Sequence, residues 1–284
     1  SGNFNIAVGY QALSANTTGG ANTASGLRSL QSNTTGGSNT AFGYESLKAN
    51  TEAGSNTAMG YQALLANETG AFNLAFGAQV LSANTTGNRN IAIGFRAYDA
   101  ADTENDNLAI GYNTLGGSIA GGEYNVAIGN NSLDAATSGD NNTATGYDAL
   151  TGNTTGADNT ALGYDAGDVI TTGSQNVIIG SGSDPSANSA ANQIVIGYGA
   201  TGQADNSVVL GNASVTAVYM AQDKGATAYG ATFEASTGII PDAADGAYLG
   251  TTSAEFSDLF LADASVINLG NDQDVTLTHV ADTG

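Results

Sequence analysis

The sequence contains no cysteine and no tryptophan, only two prolines, and a single histidine, His279. The lack of cysteine excludes a disulfide framework, a thiolate nucleophile and a cysteine-ligated zinc or iron–sulfur site, and one histidine excludes a multi-histidine metal site within one chain. Positive charge is scarce: 5 lysine and arginine residues stand against 26 acidic residues in 284, a formal net charge of -21. Such a charge repels phosphate, so we expect no nucleic-acid partner.

Long apolar runs are also missing. No segment approaches the roughly 20 apolar residues of a membrane helix, and no basic-then-apolar leader opens the chain, so we expect no membrane span. Small residues are abundant instead, with 40 glycines among many alanines, serines, threonines and asparagines. Since little conventional catalytic chemistry is left in this composition, we expect a protein that is not an enzyme and that requires no cofactor.

A unit of 17 residues repeats through most of the chain, with one inserted residue after the seventh unit. Its consensus is N-[T/I/L/V]-A-[apolar]-G-Y-x-A-L-x-x-N-T-T-G-x-x. The glycine four residues after the opening asparagine never varies from Gly9 to Gly197, and leucine usually stands eight residues after that asparagine. The opening asparagines, with Gln193 next in line, are Asn5, Asn22, Asn39, Asn56, Asn73, Asn90, Asn107, Asn125, Asn142, Asn159 and Asn176.

The short repeat indicates an all-β solenoid. Seventeen residues cannot hold the helical hairpin of the usual helical solenoids, which needs about 33. Segments such as residues 90–94 alternate large and small side chains with period two, which predicts a strand, and a second short strand fits around the leucine column. Glycine at one corner and Asn-Thr-Thr-Gly at the other supply the turns, with glycine adopting left-handed dihedrals. We therefore predict a parallel β-roll of 17-residue coils, stacked at about 4.8 Å.

The stacking assigns a structural role to the asparagines and predicts an oligomer. Each asparagine is expected to hydrogen-bond the asparagines above and below it in a buried ladder. We predict that the large residues one and three positions after each asparagine face the leucine column inside the roll, and that the intervening alanine is exposed. Threefold packing would bury such a stripe of small apolar residues most simply. A homotrimer is expected, and a dimer through the same face is the alternative.

Two parts of the sequence resemble known fibre proteins. Residues 206–211, NSVVLG, resemble the NSVAIG motif of the YadA-type left-handed β-roll in the heads of trimeric autotransporter adhesins. The upstream coils resemble the N-T-A-x-G-Y-x-A-L form found in phage tail-fibre and bacterial surface-fibre proteins, so the resemblance covers about residues 1–212. Family coils are usually shorter, near 14 residues. Residues 245–272 resemble modules of marine phage tail fibres.

These resemblances imply a trimeric, left-handed solenoid over residues 1–211, a neck or transition over 212–240 and a β-rich tail-fibre-like module over 241–284. They imply a structural or adhesive fibre, the shaft or head of a phage tail fibre or surface appendage, which attaches to a host or surface and is extracellular or on a virion. A bacterial trimeric adhesin or secreted filament is one alternative. A glycan-cleaving tailspike is another, for which Asp148 and Asp165 share a column but not the different environments that an acid–base pair needs.

The acidic residues concentrate in the later part of the chain. Residues 1–98 carry three acidic and four basic side chains, whereas residues 99–284 carry the other 23 acids and one lysine. Solubility is the ordinary interpretation. Cation binding is the alternative, because oxygen ligands at alternate positions suit Ca²⁺. The candidate ligands are Asp102, Glu104, Asp106, Asp272 and Asp274.

An aromatic column follows the invariant glycines. Half-buried corner residues are the ordinary interpretation of such a column, but stacked rings with free hydroxyls on a fibre surface also suit sugars, which bind through aromatic faces and polar edges. The partners expected on this basis are a host-surface glycan or protein. The candidate glycan surface consists of Tyr44, Tyr61, Tyr112, Tyr147 and Tyr164.

Overall fold

The computed structural model describes residues 2–117, 122–216 and 218. The chain divides into two compact units, Ser1–Tyr219 and Met220–Gly284, and the second lies outside the described residues. The tail-fibre-like module predicted over 241–284 and most of the predicted transition region therefore lie there too. The strands of the described residues all belong to the first unit.

Thirteen three-residue strands form one parallel sheet in which neighbouring strands are consecutive in the chain. The strands are β1 (Ile6–Val8), β2 (Thr23–Ser25), β3 (Thr40–Phe42), β4 (Thr57–Met59), β5 (Leu74–Phe76), β6 (Ile91–Ile93), β7 (Leu108–Ile110), β8 (Val126–Ile128), β9 (Thr143–Thr145), β10 (Thr160–Leu162), β11 (Val177–Ile179), β12 (Ile194–Ile196) and β13 (Val208–Leu210). Equivalent residues pair from coil to coil, as Ala24 does with Ala41. No helix occurs among the described residues, and the predicted all-β solenoid of 17-residue coils is confirmed.

The orientation predicted for the strands is wrong. Ala41, at the centre of β3, is fully buried, whereas Phe42 beside it is 56% exposed. The same holds along the sheet, where the middle residue points inward and the two flanking residues point outward. The reason is space: the interior already holds Leu47 and Ser46, both fully buried, so only a small side chain fits between them and the sheet.

The segment around the leucine column is not a second strand, contrary to the prediction. Glu45 and Leu47 have φ angles of +53° and +49°, so both are left-handed, whereas the residue between them is not. The segment still bonds to both neighbouring coils: Glu45 N–H donates to the carbonyl of Leu27 at 2.9 Å, and Leu47 N–H donates to that of Ala63 at 3.0 Å. Left-handed residues wind the chain tightly instead of extending it, which closes the coil within 17 residues.

The invariant glycine is required by the neighbouring coil as well as by its own dihedrals. Gly43 has a φ of +138°, and a Cβ atom there would lie 2.3 Å from the carbonyl oxygen of Gly60 in the next coil. The glycine of the Asn-Thr-Thr-Gly turn differs. Gly36 is absent from the left-handed residues, but a Cβ there would lie 2.2 Å from the Ala53 carbonyl oxygen. Close approach, and not the expected left-handed turn, favours glycine at this position, although Ala53 occupies it in the next coil.

The predicted asparagine ladder is present, and its hydrogen bonds go mainly to the backbone. The side-chain oxygen of Asn5 accepts from the backbone N–H of Asn22 at 2.8 Å. The Asn22 amide nitrogen donates to the carbonyl of Gly36 at 2.9 Å. These ladder asparagines therefore join consecutive coils and satisfy buried backbone groups.

A second asparagine column, in the Asn-Thr-Thr-Gly turn, makes the direct amide-to-amide bonds that were expected of the first. Each side-chain nitrogen donates to the side-chain oxygen one coil earlier, as from Asn50 to Asn33 at 2.8 Å. We call this column the turn ladder. Its first continuous part consists of Asn16, Asn33, Asn50, Asn67 and Asn84.

Candidate binding surface

The ladder asparagines are not available to a ligand in the interior coils. Asn39 and Asn90 are fully buried, and Asn107 is 1% exposed. Their side-chain oxygens and nitrogens are occupied by the neighbouring coils. The structure therefore supports the structural role that the sequence analysis assigned to this column.

The aromatic column, in contrast, lies on the surface. It occupies the position five residues after each ladder asparagine, immediately beyond the invariant glycine. All five tyrosines predicted as a glycan surface are between 40% and 55% exposed. The exposed aromatic members of the column are Tyr10, Tyr44, Tyr61, Phe95, Tyr112, Tyr147, Tyr164 and Tyr198.

Six of these rings form three stacked pairs. Tyr44 and Tyr61 have ring centroids 5.2 Å apart and planes inclined by 10°. Phe95 pairs with Tyr112 at 5.8 Å and 14°, and a third pair joins Tyr147 to Tyr164 at 5.5 Å and 8°. Adjacent coils thus place aromatic side chains in offset parallel stacks, an arrangement that aromatic pairs favour.

Four non-aromatic residues, Leu27, Ala78, Asn130 and Ser181, interrupt the aromatic column. Ala78 stands between Tyr61 and Phe95, and Ser181 stands between Tyr164 and Tyr198. The third interruption is Asn130, whose side-chain oxygen accepts from the backbone N–H of Tyr112 at 2.9 Å. The interruptions recur every third coil, and this regular spacing is the feature by which they can be recognised in the sequence.

Polar side chains lie beside the aromatic column, six residues after each ladder asparagine. The Asn131 amide nitrogen donates to the Asp148 carboxylate at 2.9 Å. Glu45 in the same column accepts from Lys48 Nζ at 2.9 Å and from an Arg28 guanidinium nitrogen at 3.2 Å. The hydrogen bond from Lys48 is the main cause that lowers the pKa of Glu45 to about 2. The aromatic surface is therefore flanked by ordered amides and charges.

The cation candidates in the described part of the chain do not converge. Asp102 accepts from the hydroxyl of Thr85, and Asp106 pairs with Arg89 at 2.6 and 2.7 Å. The carboxylate of Glu104 turns inward and accepts from the two preceding backbone N–H groups at 3.0 and 3.1 Å. No group of three or more acidic or histidine side chains could hold a metal ion among residues 2–117, 122–216 and 218. Asp272 and Asp274 lie outside those residues.

Glu104 belongs to a buried polar cluster that replaces part of the ordinary core. It is 3% exposed and occupies the position of the turn glycine, while Ala101 replaces a turn-ladder asparagine. Tyr98 replaces a core leucine, and its phenol oxygen accepts from the Asn107 amide at 2.6 Å. Burial, reinforced by the Glu104 charge, raises the pKa of Tyr98 well above its usual value. This cluster is sealed inside the coil and offers no surface to a substrate.

The two acids considered for glycan cleavage lie beside a larger acidic cluster. Burial raises the pKa of Asp165, and the charges of Asp168 and Asp148 act in the same direction. Asp184, which the sequence analysis missed, stands in the leucine column with one side-chain oxygen buried and unpartnered. Burial, followed by the charge of Asp168, raises the pKa of Asp184 to about 6. An acid in a column of leucines was the signal that marked this position.

A second exposed surface runs along the outside of the sheet. We call it the outer sheet face, formed by the side chains one and three residues after each ladder asparagine. The third position is almost entirely apolar from coil to coil. Large exposed members of that position are Val8, Phe42, Met59, Phe76, Ile128, Leu162, Ile196 and Leu210. Such a contiguous apolar stripe is typical of a surface that packs against another protein.

The described residues contain no helix that is long and apolar enough to cross a lipid bilayer. Neither a family model, nor a curated protein sequence, nor a solved structure matches this chain. The assignment of function therefore depends on the surfaces of the solenoid itself.

Proposed function

We propose that this chain is a structural and adhesive fibre protein that assembles as a homotrimer through the outer sheet face. The exposed apolar stripe on that face carries the proposal. Phe42, Phe76 and Leu162 are 56%, 52% and 48% exposed in the single chain, and side chains of this size stabilise an assembly when they leave water. The trimer was expected from an exposed alanine stripe. The buried alanines remove that argument, and the larger flanking residues replace it.

The repetitive construction supports the fibre role. The coils place their outer sheet face and their corner at the same positions, so a symmetric assembly would contain parallel copies of the aromatic column. Three copies of a weak surface site would bind a repetitive target with avidity. The resemblance of the coils and of residues 206–211 to YadA-type heads and phage fibres points the same way. Attachment to a host or other surface, from a virion or a cell, is the proposed role.

The mass of the assembly in solution tests this proposal. We expect light scattering on the purified chain to give three chains per particle. The triple variant Phe42→Ser, Phe76→Ser, Leu162→Ser should dissociate it, because it removes three large and exposed apolar side chains from the proposed interface. The matched control, Tyr44→Ser, Tyr61→Ser, Tyr164→Ser, removes equally exposed rings from the corner and should remain trimeric. A monomeric wild-type chain, or a triple sheet variant that stays trimeric, would overturn the assembly.

Glycan cleavage is the alternative to an adhesive fibre, and it has its own test. Asp148 and Asp165 lie one coil apart at the edge of the aromatic column, and hydrolysis requires two acids in different environments. Turnover of any member of a polysaccharide panel, lost in Asp165→Ala, would establish an enzyme. Retention of glycans without turnover would support the adhesive fibre.

A further inference from the structure

We propose that three of the four interruptions of the aromatic column are slots that each bind one pyranose ring between two aromatic faces, and that the preferred sugars have all-equatorial rings of the β-glucose type. This inference rests on the proposed adhesive function and names its ligand class. The slots are Tyr61–Ala78–Phe95, Tyr112–Asn130–Tyr147 and Tyr164–Ser181–Tyr198, each given as the first ring, the interrupting residue and the second ring.

The coil repeat sets the width of a slot. Two coils at about 4.8 Å each separate the flanking side chains by about 9.6 Å. A ring between them needs carbon contacts of about 3.5–4.0 Å on each side, which totals about 7–8 Å. A slot therefore has room for one ring.

The interrupting side chains leave the slots open. Ala78 and Ser181 are short and only partly exposed, and they end well below the flanking rings. The longer Asn130 bends onto the backbone N–H of Tyr112 at 2.9 Å, so its amide forms the floor and does not stand between the rings. The remaining interruption, Leu27 between Tyr10 and Tyr44, differs because it carries a larger apolar side chain, which is 40% exposed.

The exposure of the flanking rings indicates a ligand with apolar faces and a polar edge. Phe95 and Tyr147 are each 45% exposed, so a ring held against them keeps its outer edge in water. Amide side chains follow the interrupting residue in two slots, Gln79 in the first and Asn131 in the second, where they can bond to hydroxyls. A pyranose ring combines these properties, and the acidic surroundings disfavour phosphate-bearing rings such as nucleotides.

The requirement for two apolar faces narrows the class of sugar. In an all-equatorial β-glucopyranose, the axial C–H groups cover both faces, whereas the axial 4-hydroxyl of β-galactopyranose interrupts one face. A hydroxyl pressed against an aromatic face loses its hydrogen bonds to water. The slots should therefore discriminate between these two epimers. The third slot has Gly182 where the others have an amide, so we expect it to bind most weakly.

Saturation-transfer NMR on the full chain tests the slots with methyl β-glucoside and methyl β-galactoside as probes. Sandwiching predicts equal saturation of H1, H3 and H5 on one face of the glucoside and of H2 and H4 on the other. The galactoside should be about tenfold weaker, as expected for the loss of one stacking contact. Saturation confined to one face, or equal binding of the two epimers, would overturn the proposal.

Filling the slots gives a matched variant that keeps every aromatic ring. Ala78→Tyr, Asn130→Tyr and Ser181→Tyr together should continue the stacks and reduce glucoside saturation about tenfold or more. The control Leu27→Tyr adds the same side chain to the interruption that is not proposed as a slot, because a large apolar residue already occupies it, and it should leave saturation unchanged. Because neighbouring coils already carry tyrosine here, folding should persist, and circular dichroism checks it. Unchanged saturation in the filled triple variant would refute the slots.

The NMR experiments test the slots independently of the proposed homotrimer. A trimer that attaches to surfaces but shows no glucoside saturation refutes the slots and leaves the fibre role intact. Two-faced saturation in a chain that is monomeric by light scattering supports the slots and refutes the homotrimer.

Discussion

The buried side-chain oxygen of Asn84 has no hydrogen-bond partner, and the residue that would supply one in the next coil is Ala101. Every earlier step of the turn ladder has a donating amide at this position, as from Asn84 itself to Asn67 at 2.7 Å. The substitution coincides with Glu104 in place of the turn glycine. Since a Cβ atom at the equivalent Gly87 would lie 2.3 Å from the Asn84 oxygen, a side chain at this position enters the space of the ladder.

Restoring the consensus in this coil should stabilise the protein. The double variant Ala101→Asn, Glu104→Gly is expected to raise the free energy of unfolding by about 1–2 kcal/mol, because it gives the orphaned oxygen a donor. Ala101→Asn alone should be destabilising, since the new amide and the Glu104 side chain compete for one space. Denaturant unfolding of the two single variants and the double variant gives the coupling between the positions. Additive effects would show that the two side chains do not share the space.

The two kinds of left-handed glycine should respond differently to alanine. Gly43→Ala should cost about 3 kcal/mol or more, because its backbone conformation is open mainly to glycine and its Cβ would meet the next coil. Gly182 has a φ of +60° and nothing within 4 Å of a Cβ atom, so Gly182→Ala should cost only about 1 kcal/mol. Thermal and denaturant unfolding measure both losses. Equal losses would mean that contact between coils does not determine the invariance of the first glycine.

Asp184 should make stability depend on pH between its unfolded and folded pKa values. The folded pKa of about 6 lies above the unfolded value of about 3.9, so the folded state binds the proton more tightly. The contribution of protonated Asp184 to the free energy of unfolding is fully present below about pH 4. It is lost as the pH rises through about 6, where the buried carboxyl becomes charged. At pH 7.5, Asp184→Asn should therefore stabilise the fold by about 1–2 kcal/mol, a figure reduced for solvent screening.

The control for this prediction is Asp158→Asn, which removes the same charge from an exposed position. Melting temperatures of the three proteins at pH 4 and pH 7.5 should separate the two effects, because the gain in Asp184→Asn should shrink at the lower pH. A gain of the same size in Asp158→Asn at pH 7.5 would assign the effect to net charge instead of to the burial of Asp184 and the neighbouring charge of Asp168.

The repeat made the solenoid and its register predictable, because an unbroken column of asparagines and glycines leaves few ways to stack equal coils. The direction of the strand side chains was not predictable from the same pattern. Period two shows that Thr40 and Phe42 share one face but does not identify the inner face. That choice depends on the depth of the coil, which the left-handed conformation of Leu47 determines, and leucine seldom adopts this conformation. Gly167 stands in the column of Leu47 and Gly182 in the column of Glu45, with φ of +65° and +60°. Glycine at these two positions was the available indication in the sequence that both columns are left-handed.

The candidate surface was predictable in composition but not in arrangement. The aromatic column could be recognised from its spacing, and the structure places its members on the exposed corner. The stacked pairs depend on the ring orientations of residues such as Tyr44 and Tyr61, and the openness of a slot depends on where Asn130 bends. Neither property follows from residue spacing. The acid at Asp184 could have been noticed as a break in the leucine column, but its partner Asp168 is identified only by the folded chain.

The left-handed residues have a consequence for how the solenoid forms. Each of the first nine coils holds three of them outside glycine, such as Ser38, Glu45 and Leu47, at a conformational cost of about 3–6 kcal/mol per coil. The compensating hydrogen bonds go to the coils before and after, so an isolated coil has the cost without the compensation. A coil is therefore stable only when neighbouring coils are folded. Folding should begin in a stack of several coils and spread from it, because each folded coil is the template for the next.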